Sequence, residues 1–268
     1  MEGEEDLQGG KLSAAVVRIS DTVRRPAGPW TPTVHALLEH LHRAGFDGSP
    51  RPLGIDAQGR EVLEYIPGEV PWPGSHHRLL GTEDALRRAG RLLRGFHDAV
   101  AEFVPPTGAT WRFPEMEADS LPWAGSAPTI VCHNDPAAWN LVIGTERWAL
   151  IDWDAAGPRA PIWDVAYAAM GMVPITPDAS EAGWADPPPV IARLRALAEG
   201  YGLSHQDRQR LPDVVVARLA SSYEHMRRRA EAGVSPWDRL WTDGHGAAWA
   251  ARLRFAEHHR EQWRAGVA

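Results

Sequence analysis

The stretch Ile130-Val-Cys-His133-Asn-Asp135-Pro-Ala-Ala-Trp-Asn140-Leu-Val-Ile143, closed by Ala149-Leu-Ile-Asp152-Trp-Asp154, constrains this chain most. An apolar run that reads as a buried strand delivers His133, then Asp135 two residues on and Asn140 five beyond that. Two further apolar runs, Leu141 to Ile143 and Trp148 to Ile151, read as a β-hairpin that returns Asp152 twelve residues after Asn140. Taken singly, His, Asp and Asn in loops are ordinary turn and capping residues. At these spacings on a strand–loop–hairpin frame they form a set. One carboxylate can orient and deprotonate a hydroxyl, and the other groups are hard oxygen donors of the kind magnesium takes.

The chain around this stretch divides in two. Residues 1–68 read as strands around one helix: Val16 to Ile19 and Thr22 to Arg25 about a Ser20-Asp21 turn, then Arg51 to Ile55 and Glu61 to Ile66. Between the pairs, Val34, Leu37, Leu38 and Leu41 mark one face of a helix ending near Gly45. Pro67 to Gly74 reads as a connection, and residues 69–268 as mostly helix. Thr82 is placed to cap a helix carrying Glu83 and Asp84 in its first turn and Leu86, Leu93, Phe96 and Val100 on its apolar side. A last helix is expected from about Ala247 to Trp263.

Several function classes are excluded or disfavoured. With net charge −7 and no long run of like charges, the chain is not suited to non-specific nucleic-acid binding. The single cysteine, Cys132, allows no internal disulfide and no cysteine-based zinc site. No apolar stretch is long enough to span a membrane and the first residues are acidic rather than signal-like, so a cytoplasmic location is expected. Lys11 is the only lysine, so any chemistry requiring lysine has that residue alone.

The motif His133-x-Asp135-x4-Asn140 followed by Ile151-Asp152-Trp153-Asp154 resembles the signature of the aminoglycoside phosphotransferase and choline-kinase group of kinase-like enzymes. The resemblance implies an α+β, protein-kinase-like two-lobe fold, with a small β-rich N-terminal lobe and a larger, mainly helical C-terminal lobe. It implies transfer of a phosphoryl group from ATP or GTP to a hydroxyl of a small acceptor. Asp135 would be the catalytic base, Asn140 and Asp152 the Mg2+ ligands, and His133 a loop-holding residue. Asp154 would bind metal through water or anchor the loop, and Asp164, in Trp163-Asp164-Val165-Ala166, would be structural. Glu61 to Glu69 resembles the hinge on which the base lies, with Glu64, Tyr65 and Ile66 along it. Gly9 and Gly10 resemble the start of a phosphate-covering loop.

Two positions depart from the family pattern. The third strand should present a lysine to the phosphates, and Arg25 stands in that register, sharing a strand face with Val23; Lys11 is the other candidate cation. The following helix should present a glutamate to that lysine, and His35 occupies its place, with Glu39 at a poorer spacing. A mutually adjusted Arg25/His35 pair is therefore expected. Acidic residues (Glu115, Glu117 and Asp119, or Asp178, Glu181 and Asp186) and tryptophans (Trp111, Trp123, Trp139, Trp163 and Trp184) are candidates for recognising a cationic acceptor. Two rival readings are a kinase-like binder without activity, and a metal-dependent hydrolase in which His133 faces the metal.

Overall fold

The computed structural model describes residues 4–7, 16–71, 75–114, 117–123, 129–180, 184 and 188–268. Gly9, Gly10 and Lys11 lie outside the described residues, as do Glu115, Glu181 and Asp186 and the side chain of Glu117. The first strands are β1 (Glu5–Asp6), β2 (Val17–Ile19) and β3 (Thr22–Pro26). Ser20, with φ 55°, reverses the chain between β2 and β3, and the Thr22 hydroxyl donates to the Ile19 carbonyl at 2.7 Å to hold the turn. Helix α1 (Thr31–Arg43) starts with Pro32, whose missing N–H costs nothing in a first turn. It buries Val34, Leu37, Leu38 and Leu41, the face expected from their spacing. Strands β4 (Pro52–Ile55) and β5 (Arg60–Glu64) then complete an antiparallel sheet of order β1-β2-β3-β5-β4.

Non-local β3–β5 pairing decides the site. Its register sets Val23 opposite Leu63 and Arg25 opposite Glu61, so an arginine and a glutamate meet as cross-strand neighbours. Beyond the sheet, the Glu69 and Ile143 backbones exchange hydrogen bonds of 3.1 and 2.8 Å, clipping the connecting segment to the central hairpin.

The larger part contains α2 (His76–Leu80), α3 (Glu83–Val100), α4 (Glu117–Ser120), β6 (Ile130–Cys132), β7 (Leu141–Ile143), β8 (Trp148–Leu150) and β9 (Gly157–Arg159). Helices α5 (Pro161–Met172), α6 (Val190–Tyr201), α7 (His205–Glu231), α8 (Trp237–Thr242) and α9 (His245–Val267) follow. β6 pairs with β9 and β7 with β8. Helices α3 and α6 approach closely because a Cβ at Gly90 would lie 2.5 Å from the Leu197 carbonyl oxygen, and one at Gly200 2.2 Å from that of Arg87. The core beneath includes Phe96, Leu194, Leu197, Val215, Leu219 and Trp263. Phe96 meets Trp153 edge-to-face at 4.9 Å, tying α3 to the loop that follows Asp152. No helix among the described residues is long and apolar enough to cross a membrane.

Thr82 accepts the Ala85 N–H at 3.1 Å, so the start of α3 has the expected cap. Thr82→Ala should lower stability by about 1 kcal/mol, read as a shift of the urea midpoint at unchanged slope.

Candidate active site

Strand β6 ends on a loop whose backbone is held from below by Asp164. Its two carboxylate oxygens accept the N–H groups of His133 and Asn134 at 2.7 Å each. His97, on α3, donates Nε2–H to the same carboxylate at 3.1 Å and accepts the Tyr201 hydroxyl on Nδ1 at 2.7 Å. Burial opposes ionisation of Asp164, but the His97 hydrogen bond and those from the loop outweigh it and hold the carboxyl below its ordinary value. Asn134, at φ 66°, donates its side-chain amide to the Ala155 and Gly157 carbonyls. Its own carbonyl accepts from buried Arg218 of α7 at 3.0 Å.

Both ring nitrogens of His133 are occupied. Nε2 donates to the Ile151 carbonyl at 3.1 Å, and Nδ1 accepts the Asp135 N–H at 3.3 Å. Burial pushes this imidazole below its ordinary pKa, so it stays neutral with the proton on Nε2. A ring so engaged is not free to ligate a metal, which removes the hydrolase reading.

The Asn140 amide nitrogen donates at 2.9 Å to both the carbonyl and Oδ2 of Asp135. Asp135 Oδ1 is buried and is met by no donor in good hydrogen-bond geometry, with the Tyr167 hydroxyl as the side-chain donor beside the carboxylate. A buried carboxylate oxygen without a well-aligned donor is costly, and Oδ1 is the oxygen open to a better-placed partner from outside. Burial, with the Asp152 carboxylate second, pushes Asp135 up to about 7; Tyr167 of α5 is pushed well up by burial and by Asp135.

Asp152 follows β8 in a left-handed conformation, φ 59° and ψ 66°, an uncommon backbone for a non-glycine residue. That conformation sets its carboxylate opposite Arg25. The Arg25 guanidinium spans three carboxylates: Nε donates to Glu61 Oε1, one terminal nitrogen to Asp152 at 2.7 Å and the other to Asp154 at 2.7 Å. Asp154 also accepts from Arg112 at 2.9 Å. Burial pushes the Asp154 carboxyl up, against the pull of these two arginines. His35 lies against Glu61 Oε2 at 3.1 Å, so the structure places it one residue away from Arg25 in the network rather than on it. Glu39 pairs at 3.8 Å with Arg43 on the exposed face of α1, away from Arg25.

Glu61 is the residue the sequence reading left without a role. It is 1% exposed, and only the β3–β5 register, which sets it opposite Arg25, distinguishes it from the other charged residues of its strand, Arg60 and Glu64. Arg112, which holds Asp154 and stacks over the Trp30 ring at 4.7 Å, lacks any such signal.

Between sheet and hairpin lies a cavity of about 350 Å³, within the usual size range of ligand clefts. Val16, Val23 and Leu63 line one side and Val142 and Ile151 the other, with Glu64, Tyr65 and Ile66 along the edge. Arg25, Asn140 and Asp152 stand at its polar end. A flat base between apolar walls, with its charged tail towards Asn140 and Asp152, fits this shape. The Asn140 amide nitrogen faces Asp135 and one Asp152 oxygen faces Arg25. The remaining oxygens are hard donors that fit a divalent cation.

Among the described candidates for acceptor recognition, four are engaged elsewhere. Asp119 accepts from Ser221 at 2.6 Å, and Asp178 caps its own turn through Ser180. Trp163 and Trp184 are buried, with the guanidiniums of Arg218 and Arg193 over their rings. Trp139 lines the cavity.

Sheet, hinge-like edge, catalytic loop and acidic hairpin together define a kinase-like phosphotransferase. Residues 108–212 match the model of the phosphotransferase enzyme family. The trifolitoxin immunity protein of Rhizobium leguminosarum bv. trifolii is 32% identical over 278 residues, with both chains covered in full. The chain belongs to this phosphotransferase family. A choline/ethanolamine kinase family protein from Mesorhizobium loti shares the fold at TM-score 0.64 and 21% identity, over 99% of this chain and 92% of that one. The amicoumacin kinase hAmiN shares it at TM-score 0.64 and 11% identity, over 97% and 88%.

Proposed function

We propose that this chain moves the γ-phosphoryl group of ATP or GTP to a hydroxyl of a small toxic compound, and so confers protection against it. The observation that supports the chemistry best is the Asp135 carboxylate, fixed through Oδ2 by Asn140 and with no well-aligned donor on Oδ1. Asp135 Oδ1 orients the acceptor hydroxyl and takes its proton as the oxygen attacks phosphorus. The new O–P bond forms as the bond to the β,γ-bridging oxygen breaks, leaving a nucleoside diphosphate. The apolar cavity holds the base along Glu64, Tyr65 and Ile66. Asn140 and Asp152 hold Mg2+, which when bound neutralises charge developing on the phosphate oxygens. Arg25 fixes the metal-binding hairpin, and its remaining N–H groups, with Lys11, serve the phosphates. The protective role rests on the similarity to a protein described by its immunity to trifolitoxin and to one described as an amicoumacin kinase.

Calorimetry with ATP and GTP tests this reading, wild type beside Asp152→Ala, with and without magnesium. Magnesium-dependent binding in the wild type should weaken at least about tenfold in Asp152→Ala, since a group holding the metal is lost. Absence of binding by either nucleotide would overturn the reading and leave the inactive binder. A screen of hydroxyl-bearing toxins by mass spectrometry then identifies the acceptor.

A further inference from the structure

In kinase-like folds the third-strand cation is held by a glutamate on the following helix. Here that helix position is His35, and the carboxylate on Arg25 comes from the sheet itself. Glu61 is fully buried, faces Arg25 across the β3–β5 register, and gives one oxygen to Arg25 and the other to His35. A carboxylate only accepts, so His35 must donate through Nε2. The arrangement is self-consistent, because a glutamate at position 35 would set a second carboxylate against Glu61. It also needs arginine: with Nε on Glu61, only a forked guanidinium has two further nitrogens to reach Asp152 and Asp154.

We propose that Glu61 is the positioning residue for the metal-binding hairpin, acting through Arg25, and that it replaces the helix glutamate of related folds. The consequence is mechanical. An ion pair between helix and strand breaks when the helix swings, whereas Arg25 and Glu61 sit on neighbouring hydrogen-bonded strands and stay paired wherever α1 lies. The cation at Asp152 is therefore built into the sheet, and α1 meets its carboxylate partner through the hydrogen bond from His35 to Glu61.

This inference rests on the proposed Mg2+–nucleotide reading, and binding rather than turnover tests it. Affinity for ATP would be measured by calorimetry at a series of magnesium concentrations. E61Q keeps the shape of the side chain and loses its charge; it should weaken Mg2+–ATP binding about 10- to 100-fold, as expected for a residue behind a metal ligand. R25Q should do the same, and E61Q/R25Q should be no weaker than R25Q alone, because both changes remove one linkage. H35E should lose as much as E61Q, whereas H35Q, which keeps a donor for Oε2, should lose several-fold less. E61Q with wild-type affinity, or additive losses in the double variant, would overturn the proposal. Should E61Q not fold, equal affinities in H35E and H35Q would overturn it. Wild-type protein that binds neither Mg2+–ATP nor Mg2+–GTP refutes the underlying reading instead.

Discussion

Replacing Asp135 by asparagine is expected to lower kcat about 10²- to 10⁴-fold, the range for loss of a general base, with nucleotide affinity nearly unchanged. Asparagine is close to isosteric and its oxygen can still accept from the Asn140 amide, so the loop should keep its shape. What disappears is the ionised oxygen that Oδ1 offers to an acceptor hydroxyl. In the proposed mechanism nucleotide binding depends on the cavity and on Asn140 and Asp152, which line it and which the substitution leaves in place. Steady-state kinetics with calorimetry beside it separates the two quantities. Equal losses of kcat and affinity would mean that Asp135 serves the metal rather than the acceptor.

The same substitution carries a stability signature of opposite sign. Burial and Asp152 push Asp135 up to about 7 in the metal-free protein, so the native state binds a proton there that the unfolded chain has already lost. Stability therefore falls as pH rises from the ordinary carboxylate range to about 7, and the full cost is present above that. Asp135→Asn should accordingly melt higher than wild type at pH 8 without metal. The gain should shrink as pH falls below about 7. Such a cost is the trade of stability for function expected of a residue with the proposed role of Asp135.

How much of this was legible in the sequence follows from how local each feature is. The juxtaposition of His133, Asp135, Asn140 and Asp152 was readable because they lie on consecutive short elements, where spacing nearly fixes geometry. The α1 face and the Thr82 cap were readable for the same reason. Glu61 was not, because its partnership with Arg25 exists only after two strands thirty-six residues apart are put in register. Strand β9, Gly157-Pro158-Arg159, carries no apolar alternation and contains the two residues least expected in a strand; its pairing with β6 comes from tertiary context. Helix α7 runs from His205 to Glu231 with Pro212 inside it, so its length was obscured by a residue that normally ends helices. Arg218, which this helix sends to the Asn134 carbonyl, was invisible for the same reason.

Asp164 is the position where a single substitution should do most damage to the fold. It lies in the first turn of α5, fully buried, and takes hydrogen bonds from two successive backbone N–H groups and from His97. Asp164→Ala leaves all three donors buried without an acceptor, and loss of one side of a buried charged network costs about 3–5 kcal/mol. At about 2–4 °C per kcal/mol for a chain of this order of size, the melting temperature should fall by on the order of 10 °C. The carboxyl is held below its ordinary value, so its contribution is present above the unfolded carboxylate range and lost as pH falls through the lowered pKa. Wild type and Asp164→Ala should therefore converge in stability towards strongly acidic pH. Activity should suffer beyond what the melting shift explains, because Asp135 is the next residue but one after His133 and a misplacement of about 1 Å can cost about a hundredfold. His97→Ala removes only one of the three donors, so it should fall between the two proteins in both measurements. A His97 variant as damaged as Asp164→Ala would mean that the side-chain bond, and not the pair of backbone bonds, holds the catalytic loop.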